Sequence, residues 1–292
     1  MVALCACSPS DGQDTPRAVE TPAAATPPPA QAAAQSFCLN LISARKEVQL
    51  GEPLTLLVEL HNCSKAPQRV RDMFGVEFGV LGLWMRSPGS EKEDLYRPPV
   101  RRDGRGTGYV DLAPGDSLSA LVPVYLGASG WTLQKIGPYR FRAEYGTAGG
   151  IVRSDSLEVS VIPPSEKSEA SRALMSPAAS RYLLLEGGDP MGRDELLSVA
   201  KKYPRSVWGT YANMSLAIDA VASTEATDKR TACRNLEKAA AQVPDWVAGL
   251  RGYQVLLRCL QDTGDNARAR GISKQIIEQH PPARGLRALH VQ

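Results

Sequence analysis

Histidine is scarce in this chain: 292 residues include three, His61, His280 and His290, and they fall in different segments. That inventory offers no basis for a histidine-built metal cluster or catalytic dyad. Long apolar runs are missing too, since none approaches the roughly 18 to 20 residues that a membrane-spanning helix needs. An excess of one charge is also lacking. Lys and Arg number 34 against 31 Asp and Glu, a net +3 spread over the chain, which argues against nucleic acid as a partner. Nucleophile elbows, phosphate-binding loops, HExxH, paired CxxC and glycine-rich dinucleotide turns are all absent. Acidic residues alternate with basic ones and form no paired-carboxylate pattern. These absences point away from an enzyme and from any cofactor or metal. They leave a hydrophobic fraction of 43%, enough to build ordinary cores.

What the chain does have begins with its first 36 residues. A short apolar start ends in Leu4-Cys5-Ala6-Cys7, and Ser8 to Ser36 is then rich in Pro, Ala, Ser and Thr with almost no large apolar side chain. Such a segment buries too little to offset the entropy of ordering, so it is expected to be a disordered, partly polyproline-II tether. Leu4 to Cys7 resembles a bacterial lipobox, with an aliphatic residue three before the cysteine and a small one just before it. That resemblance implies lipidation at Cys7; Cys5 fits worse because Leu4 would stand where a small residue belongs. The charged start and apolar core of a secretory signal are not present. Met1 is therefore expected to be a mis-chosen or truncated start, with a cytosolic protein of ragged N-terminus as the alternative. In such lipoproteins an Asp after the cysteine is associated with inner-membrane retention, so Ser8 implies the outer membrane, with the protein facing the periplasm or the cell surface.

From Phe37 to Pro164 the period is two. Leu54, Leu56, Val58 and Leu60 alternate with Thr55, Leu57, Glu59 and His61; Tyr139, Phe141, Ala143 and Tyr145 alternate with Arg140, Arg142 and Glu144; Leu157, Val159 and Val161 alternate with Glu158 and Ser160. These read as about seven strands, each with one buried and one wet face, punctuated by turns such as Gly51-Glu52-Pro53 and Pro114-Gly115-Asp116. Strands at this spacing predict an antiparallel β-sandwich. The order VQLGEPLTLLVELHN, LAPGDSLSALVPV, GPYRFRAEY and SDSLEVSVI resembles bacterial immunoglobulin-like or fibronectin-III-like modules, which implies a spacer, adhesive or binding domain. The less regular stretch from Asp72 to Gly108 carries Arg97, Arg101, Arg102 and Arg105 around Pro98-Pro99. That is either a solvated loop or a basic one able to meet an anionic partner.

Counted from a turn near Leu50-Gly51, facing residues on the first two strands have numbers summing to about 101, which sets Cys38 opposite Cys63 on the outward face. A disulfide between them is expected in an oxidising compartment, with two unpaired thiols as the alternative.

From Ser165 to Gln292 the period becomes helical. Val207, Tyr211, Met214, Ile218 and Val221 form one stripe; Val247, Leu250, Gln254 and Leu257 form a leakier one beside Val255, Leu256 and Leu260. Tyr203-Pro204, Val243-Pro244 and His280-Pro281 each close one helix and open the next, at intervals of 40 and 37 residues. Gly264-Asp265, Ala269 and Pro281, and one unit earlier Asp228, Ala232, Leu236, Ala239 and Pro244, resemble a short tetratricopeptide-like array of helical hairpins. The first unit keeps Leu196, Val199 and Pro204 but has Gly192 where the small Ala belongs. If the array holds a groove, Trp208, Tyr211, Arg251, Gln254 and Arg258 are the candidate partner-binding residues, with core aromatics and solvated arginines as the alternative. Cys233 and Cys259, measured from a turn at Val243, stand about 9 Å out of register at 1.5 Å per residue, which leaves them either as a second disulfide or as small core residues.

The chain thus reads as a multidomain protein, β then α. Residues 1–36 form a signal remnant and tether, 37–164 a sandwich and 165–292 the helical repeats. The expected function is a lipid-anchored envelope protein acting as a non-catalytic protein-interaction module that touches the membrane through its lipid alone. A structural spacer or adhesin-like surface protein is the alternative, followed by a hydrolase or inhibitor with a loop-built site.

Overall fold

The computed structural model describes residues 36–102, 108–147, 150–165, 168–185, 189–223 and 228–291, and residues 34 onward form one compact unit. Cys7, the tether as far as residue 35, and Arg105 lie outside the described residues.

The β part comes first. Its strands are β1 (Phe37–Ile42), β2 (Glu47–Gln49), β3 (Thr55–Asn62), β4 (Gln68–Arg71), β5 (Leu81–Arg86), β6 (Asp94–Leu95) and β7 (Tyr109–Leu112). There follow β8 (Ser117–Pro123), β9 (Leu126–Gly127), β10 (Gly130–Trp131), β11 (Gly137–Thr147), β12 (Gly150–Arg153) and β13 (Leu157–Ile162). The count exceeds the seven expected because stretches without clear alternation, such as Asp94–Leu95 and Gly130–Trp131, pair briefly. One sheet runs β1-β3-β8 and a larger one β2-β13-β11-β5-β6, with β12 on β11. The two share a core in which Leu56, Val58 and Leu60 of β3 meet Tyr139, Phe141 and Ala143 of β11.

The connection from β1 to β3 differs from the hairpin expected at Leu50-Gly51. After β1 the chain crosses to the larger sheet, where β2 pairs in parallel with β13, and only then returns as β3. This detour changes the register by two, so Phe37 faces Asn62 and Cys38 faces His61. Cys38 and Cys63 are nonetheless disulfide-bonded, with Cα atoms 5.9 Å apart. Cys63 sits one residue past the end of β3 and holds its place by donating its amide to the Ser36 carbonyl at 3.1 Å, so the bridge runs diagonally. Diagonal neighbours at the end of an antiparallel pair are still within reach of two short side chains.

Among the described residues seven helices follow: α1 (Ser168–Leu174), α2 (Pro177–Leu185), α3 (Pro190–Lys202), α4 (Val207–Ser223), α5 (Lys229–Gln242), α6 (Trp246–Asp262) and α7 (Asn266–Gln279). Short 3-10 turns at Pro281–Gly285 and Arg287–Leu289 close the chain. α3, α5 and α7 end with C-caps at Tyr203, Val243 and His280, each followed by a proline, which cannot continue the hydrogen-bond ladder. Asp189, Asp245 and Asp265 accept backbone amides at the starts of α3, α6 and α7, and Gly264 supplies the left-handed turn before the last of these. Gly192 stands where α3 crosses α2; a Cβ there would collide with the Ala178 carbonyl.

Cys233 and Cys259 also form a disulfide, with Cα atoms 5.9 Å apart. The 9 Å offset derived from a turn at Val243 is too large because the link between the helices spans Val243 to Asp245. Counted from the true helix ends the stagger shrinks to about 6 Å at 1.5 Å per residue. Small residues bring α5 and α6 together: a Cβ on Gly252 would approach the Ala240 Cβ at 2.9 Å.

The outer face of the β1-β3-β8 sheet is not wet, contrary to the strict alternation expected of β3. Helices cover it. Leu57 is fully buried and belongs to the helical core, with Ile42, Ala44 and Leu121 packed against the same cluster. Thr55 and Glu59, the polar neighbours of Leu57 on that face, are buried as well. The seam is closed by the Ser119 hydroxyl donating to the Pro282 carbonyl at 3.2 Å and the Ser171 hydroxyl donating to the Leu50 carbonyl at 2.6 Å. Gly285 permits the first contact, because a side chain there would strike Ser119.

Leu57→Ala removes a side chain shared by sheet and helices, and it is expected to lower stability by about 3 kcal/mol in chemical denaturation monitored by circular dichroism. A loss below about 1 kcal/mol would mean that the sheet face and the helices are not packed together.

Candidate functional site

Where the helices leave the sheet, the seam opens into a cleft of about 410 Å³. Its floor is β8 from Leu118 to Leu121; one wall is α4 with Tyr211, Met214, Ser215 and Ile218; and the far rim is formed by Arg251 and Gln254 of α6 together with Arg287. The opposite lip comes from the stretch between β6 and β7, where Pro98, Pro99 and Arg102 line the opening. This is the basic loop noted in the sequence. Tyr96 anchors that lip by donating its hydroxyl to the Leu126 carbonyl at 2.6 Å, and burial raises its pKa.

The interior is apolar apart from a few polar atoms that lack partners. Tyr211 and Ser215 lie one helical turn apart on α4, both 2% exposed, and neither hydroxyl has a hydrogen-bond partner. Asp72 Oδ1, on the opposite lip, is likewise buried and unpartnered. Buried polar groups are ordinarily paired, and three such atoms line this one cleft, with the Trp131 and Trp208 ring N–H groups and Asp245 Oδ2 unpartnered elsewhere in the core. Arg102 and Arg287 are both exposed at the opening and make no ion pair or side-chain hydrogen bond among the described residues.

Beside the cleft lies a polar junction. Glu52, whose side chain is wholly buried, pairs with Arg45 Nη1 at 2.5 Å and accepts the Gln49 amide at 2.9 Å. Burial nevertheless raises the pKa of Glu52, outweighing the Gln49 hydrogen bond and the Arg45 charge. Asp245 is fully buried and uses Oδ1 to cap α6 through the amides of Val247 and Ala248, at 2.9 and 3.2 Å, while Oδ2 has no partner. Burial pushes its pKa up to about 6, against the lowering pull of those two amides and of Arg45. Burial, with the nearby charges of Asp245 and Glu52, holds the Tyr211 hydroxyl protonated.

The candidate residues read from the sequence are placed unevenly. Tyr211, Arg251 and Gln254 come together at the cleft. Trp208 is 1% exposed inside the helical core, and Arg258 is exposed on α6 without lining the cleft. Ser215, Asp245 and Arg287 escaped the sequence reading. A hydroxyl beside an apolar helical stripe was the available signal for Ser215, and an Asp before a helix start the signal for Asp245. Among the described residues no three His, Cys, Asp or Glu side chains converge as a metal site would require. No helix among them is long and apolar enough to cross a membrane.

No protein-family model matches the chain, and no curated protein matches it. Among solved structures it is similar to part of a β-glucosidase from Erythrobacter marinus (14% identity over 44% of this chain and 15% of that one, TM-score 0.27). A β-glucosidase from Listeria innocua matches at 18% identity over 43% of this chain and 16% of that one, TM-score 0.25. The sporulation control protein Spo0M from Bacillus subtilis matches at 14% identity over 52% of this chain and 54% of that one, TM-score 0.26. The chain therefore spans about one sixth of the glucosidases and about half of Spo0M, at likenesses too low to carry an argument.

Asp245 gives the site a pH signature. Its folded pKa lies above its unfolded value, so the folded state binds more protons between about pH 4 and pH 6 and stability falls as pH rises through that window. The wild-type protein is expected to lose about 1 kcal/mol more stability between pH 5 and pH 7 than Asp245→Asn, which keeps a capping oxygen but no charge. Parallel pH dependences for the two proteins, measured by urea denaturation, would remove Asp245 from this role.

Proposed function

We propose that the chain is a lipid-anchored cell-envelope protein, attached through Cys7 at the outer membrane and facing the periplasm or the cell surface. Its folded unit, an immunoglobulin- or fibronectin-III-like sandwich followed by a tetratricopeptide-like array, acts as a non-catalytic protein-interaction module. The observation that carries this reading is the pair of disulfides, one in each part of the folded unit, because such bonds persist in oxidising compartments. They fit an extracytoplasmic protein and agree with the lipobox-like Leu4 to Cys7. The rim of the cleft supports the binding role, since Arg251 and Gln254 stand at its edge beside the Pro98-Pro99 lip and offer polar contacts around an apolar floor.

A structural spacer or adhesin-like surface protein is the second reading. It is favoured by the burial of Leu57, Thr55 and Glu59 beneath the helices, because a helical array that shields a sheet face has a supporting role whether or not it binds anything.

Two experiments test the proposal. Cys7→Ser, expressed with a complete export signal, is expected to move the protein from the membrane pellet to the soluble envelope fraction; unchanged fractionation would sink the lipid anchor. Capture from envelope extracts is expected to retain a discrete protein that is lost with Arg251→Glu and Arg258→Glu. Binding to whole cells or polysaccharide with no such protein would instead establish the spacer or adhesin.

A further inference from the structure

The interior of the cleft differs from its rim in chemistry and in scale. A flat protein partner meets the rim, whereas the interior is a concave apolar space of about 410 Å³, within the usual range for small-molecule sites. An apolar cavity of about 150 Å³ takes a benzene ring, so by proportion this one takes roughly 16 non-hydrogen atoms.

Its polar groups are arranged at two levels. At the opening stand the exposed guanidinium groups of Arg102 and Arg287, contributed by different parts of the fold and without an ion pair among the described residues. Inside are the Tyr211 and Ser215 hydroxyls, each on a side chain more than nine-tenths buried and each without a hydrogen-bond partner. Between these levels the walls are apolar, with Leu118, Met214, Ile218 and Leu286. Two carboxylates, Asp72 and Glu77, also line the cleft, against the three guanidinium groups of Arg102, Arg251 and Arg287. The Glu77 carboxylate folds back on Gly75, where an added Cβ would meet it at 2.5 Å, and Asp72 Oδ2 lies against Gly108. Asp72 Oδ1 is left able to accept a hydrogen bond and nothing else.

We propose that this cleft binds a small amphipathic anion: an apolar chain of about a dozen carbons, carrying a carboxylate that meets Arg102 and Arg287 and a hydroxyl that meets Tyr211 and Ser215. A carboxylate suits the opening because guanidinium groups recognise it with charge-assisted hydrogen bonds. A hydroxyl suits the interior because it can both donate and accept, which satisfies Tyr211 and Ser215 together and leaves its donor within the chemistry Asp72 Oδ1 can use. A purely hydrocarbon chain would leave these buried atoms unpaired, and a cation would face two arginines. This site shares the opening with the protein-interaction reading through Arg102 and Arg287 but does not depend on it, since it needs no partner chain.

The test is isothermal titration of the purified folded protein with 12-hydroxydodecanoate, beside dodecanoate, dodecane-1,12-diol and dodecyltrimethylammonium. Saturable binding of 12-hydroxydodecanoate is expected. Dodecanoate should bind about fivefold more weakly, the worth of one hydrogen bond, and Tyr211→Phe should reduce the preference for the hydroxylated chain. Arg102→Glu combined with Arg287→Glu, both at exposed positions that cannot compromise folding through packing, should weaken binding at least tenfold without changing the unfolding midpoint. Met214→Trp, which fills the cleft, should abolish binding; its folding is checked by circular dichroism. The proposal is overturned if 12-hydroxydodecanoate does not saturate, if the uncharged diol or the cation binds equally well, or if the double charge reversal leaves affinity unchanged.

Discussion

Burial of the β1-β3-β8 sheet on both faces is the constraint on which the rest of this molecule depends. β3 is its centre, with Leu56, Val58 and Leu60 turned into the sandwich core and Leu57 turned into the helical core. Each fully buried leucine of this kind is worth roughly 2 to 3 kcal/mol relative to exposure, so one strand contributes to two cores at once. The cost falls on its polar neighbours. Glu59 is 5% exposed and is satisfied by His61 Nε2 at 2.7 Å, a pairing that a wet strand face would not have required. Ser119, on the facing strand, is likewise buried and spends its hydroxyl on the Pro282 carbonyl across the seam.

A twisted sheet and a stack of helices cannot stay in contact over their whole length, and the cleft is where they part. α6 touches the sheet at one end and helps form the cleft rim further along, so the packing that closes the seam also fixes the opening. The junction of Arg45, Glu52 and Asp245 lies at the closed part of the seam. There the N-terminus of α6 is driven so far inward that its capping carboxylate has one oxygen without a partner. Capping satisfies the helix amides and burial penalises the charge; the rise in the Asp245 pKa shows that burial prevails. Among the described helical residues, buried polar side-chain atoms without a partner belong to Asp245 and to Trp208, Tyr211 and Ser215 of α4. Clustered departures of this kind are where a functional site is to be sought.

Periodicity in the sequence reveals the order of the parts, sheets and then helices, and it fixes the helix ends, because proline after Tyr203, Val243 and His280 has an unambiguous effect on backbone hydrogen bonding. What periodicity does not reveal is the partner of each face. Leu57 falls on the parity of Thr55 and Glu59, and alternation alone assigns that parity to water; only the tertiary contact with α6 and the Pro281–Gly285 turn reverses the assignment. Register failed for a related reason. The count from Leu50-Gly51 assumes a hairpin, whereas β2 leaves for the other sheet, and short parallel pairing of Glu47–Gln49 with Ser160–Ile162 has no local signature. At the cleft, Tyr211, Arg251 and Gln254 were legible as an aromatic and two polar groups on facing helices. Arg287 and Ser215 were not, because their proximity is created by the seam.

The two disulfides gain meaning from where they stand. Cys38 is the second residue of the first strand, immediately after the segment that reads as a tether, and its bond to Cys63 ties that strand covalently to the end of β3. β1 lies at the sheet edge and pairs with β3 alone, so without the bridge a pull on the N-terminal side would be resisted by backbone hydrogen bonds of one ladder. With it, the load passes to β3, the strand anchored in both cores. Under the proposed attachment through Cys7, that placement would protect the strand through which tension enters the fold. The second bridge, Cys233 to Cys259, joins α5 to α6, the helix that meets both the sheet and the cleft. The covalent links thus fall on the two elements, β3 and α6, whose mutual contact holds sheet and helices together.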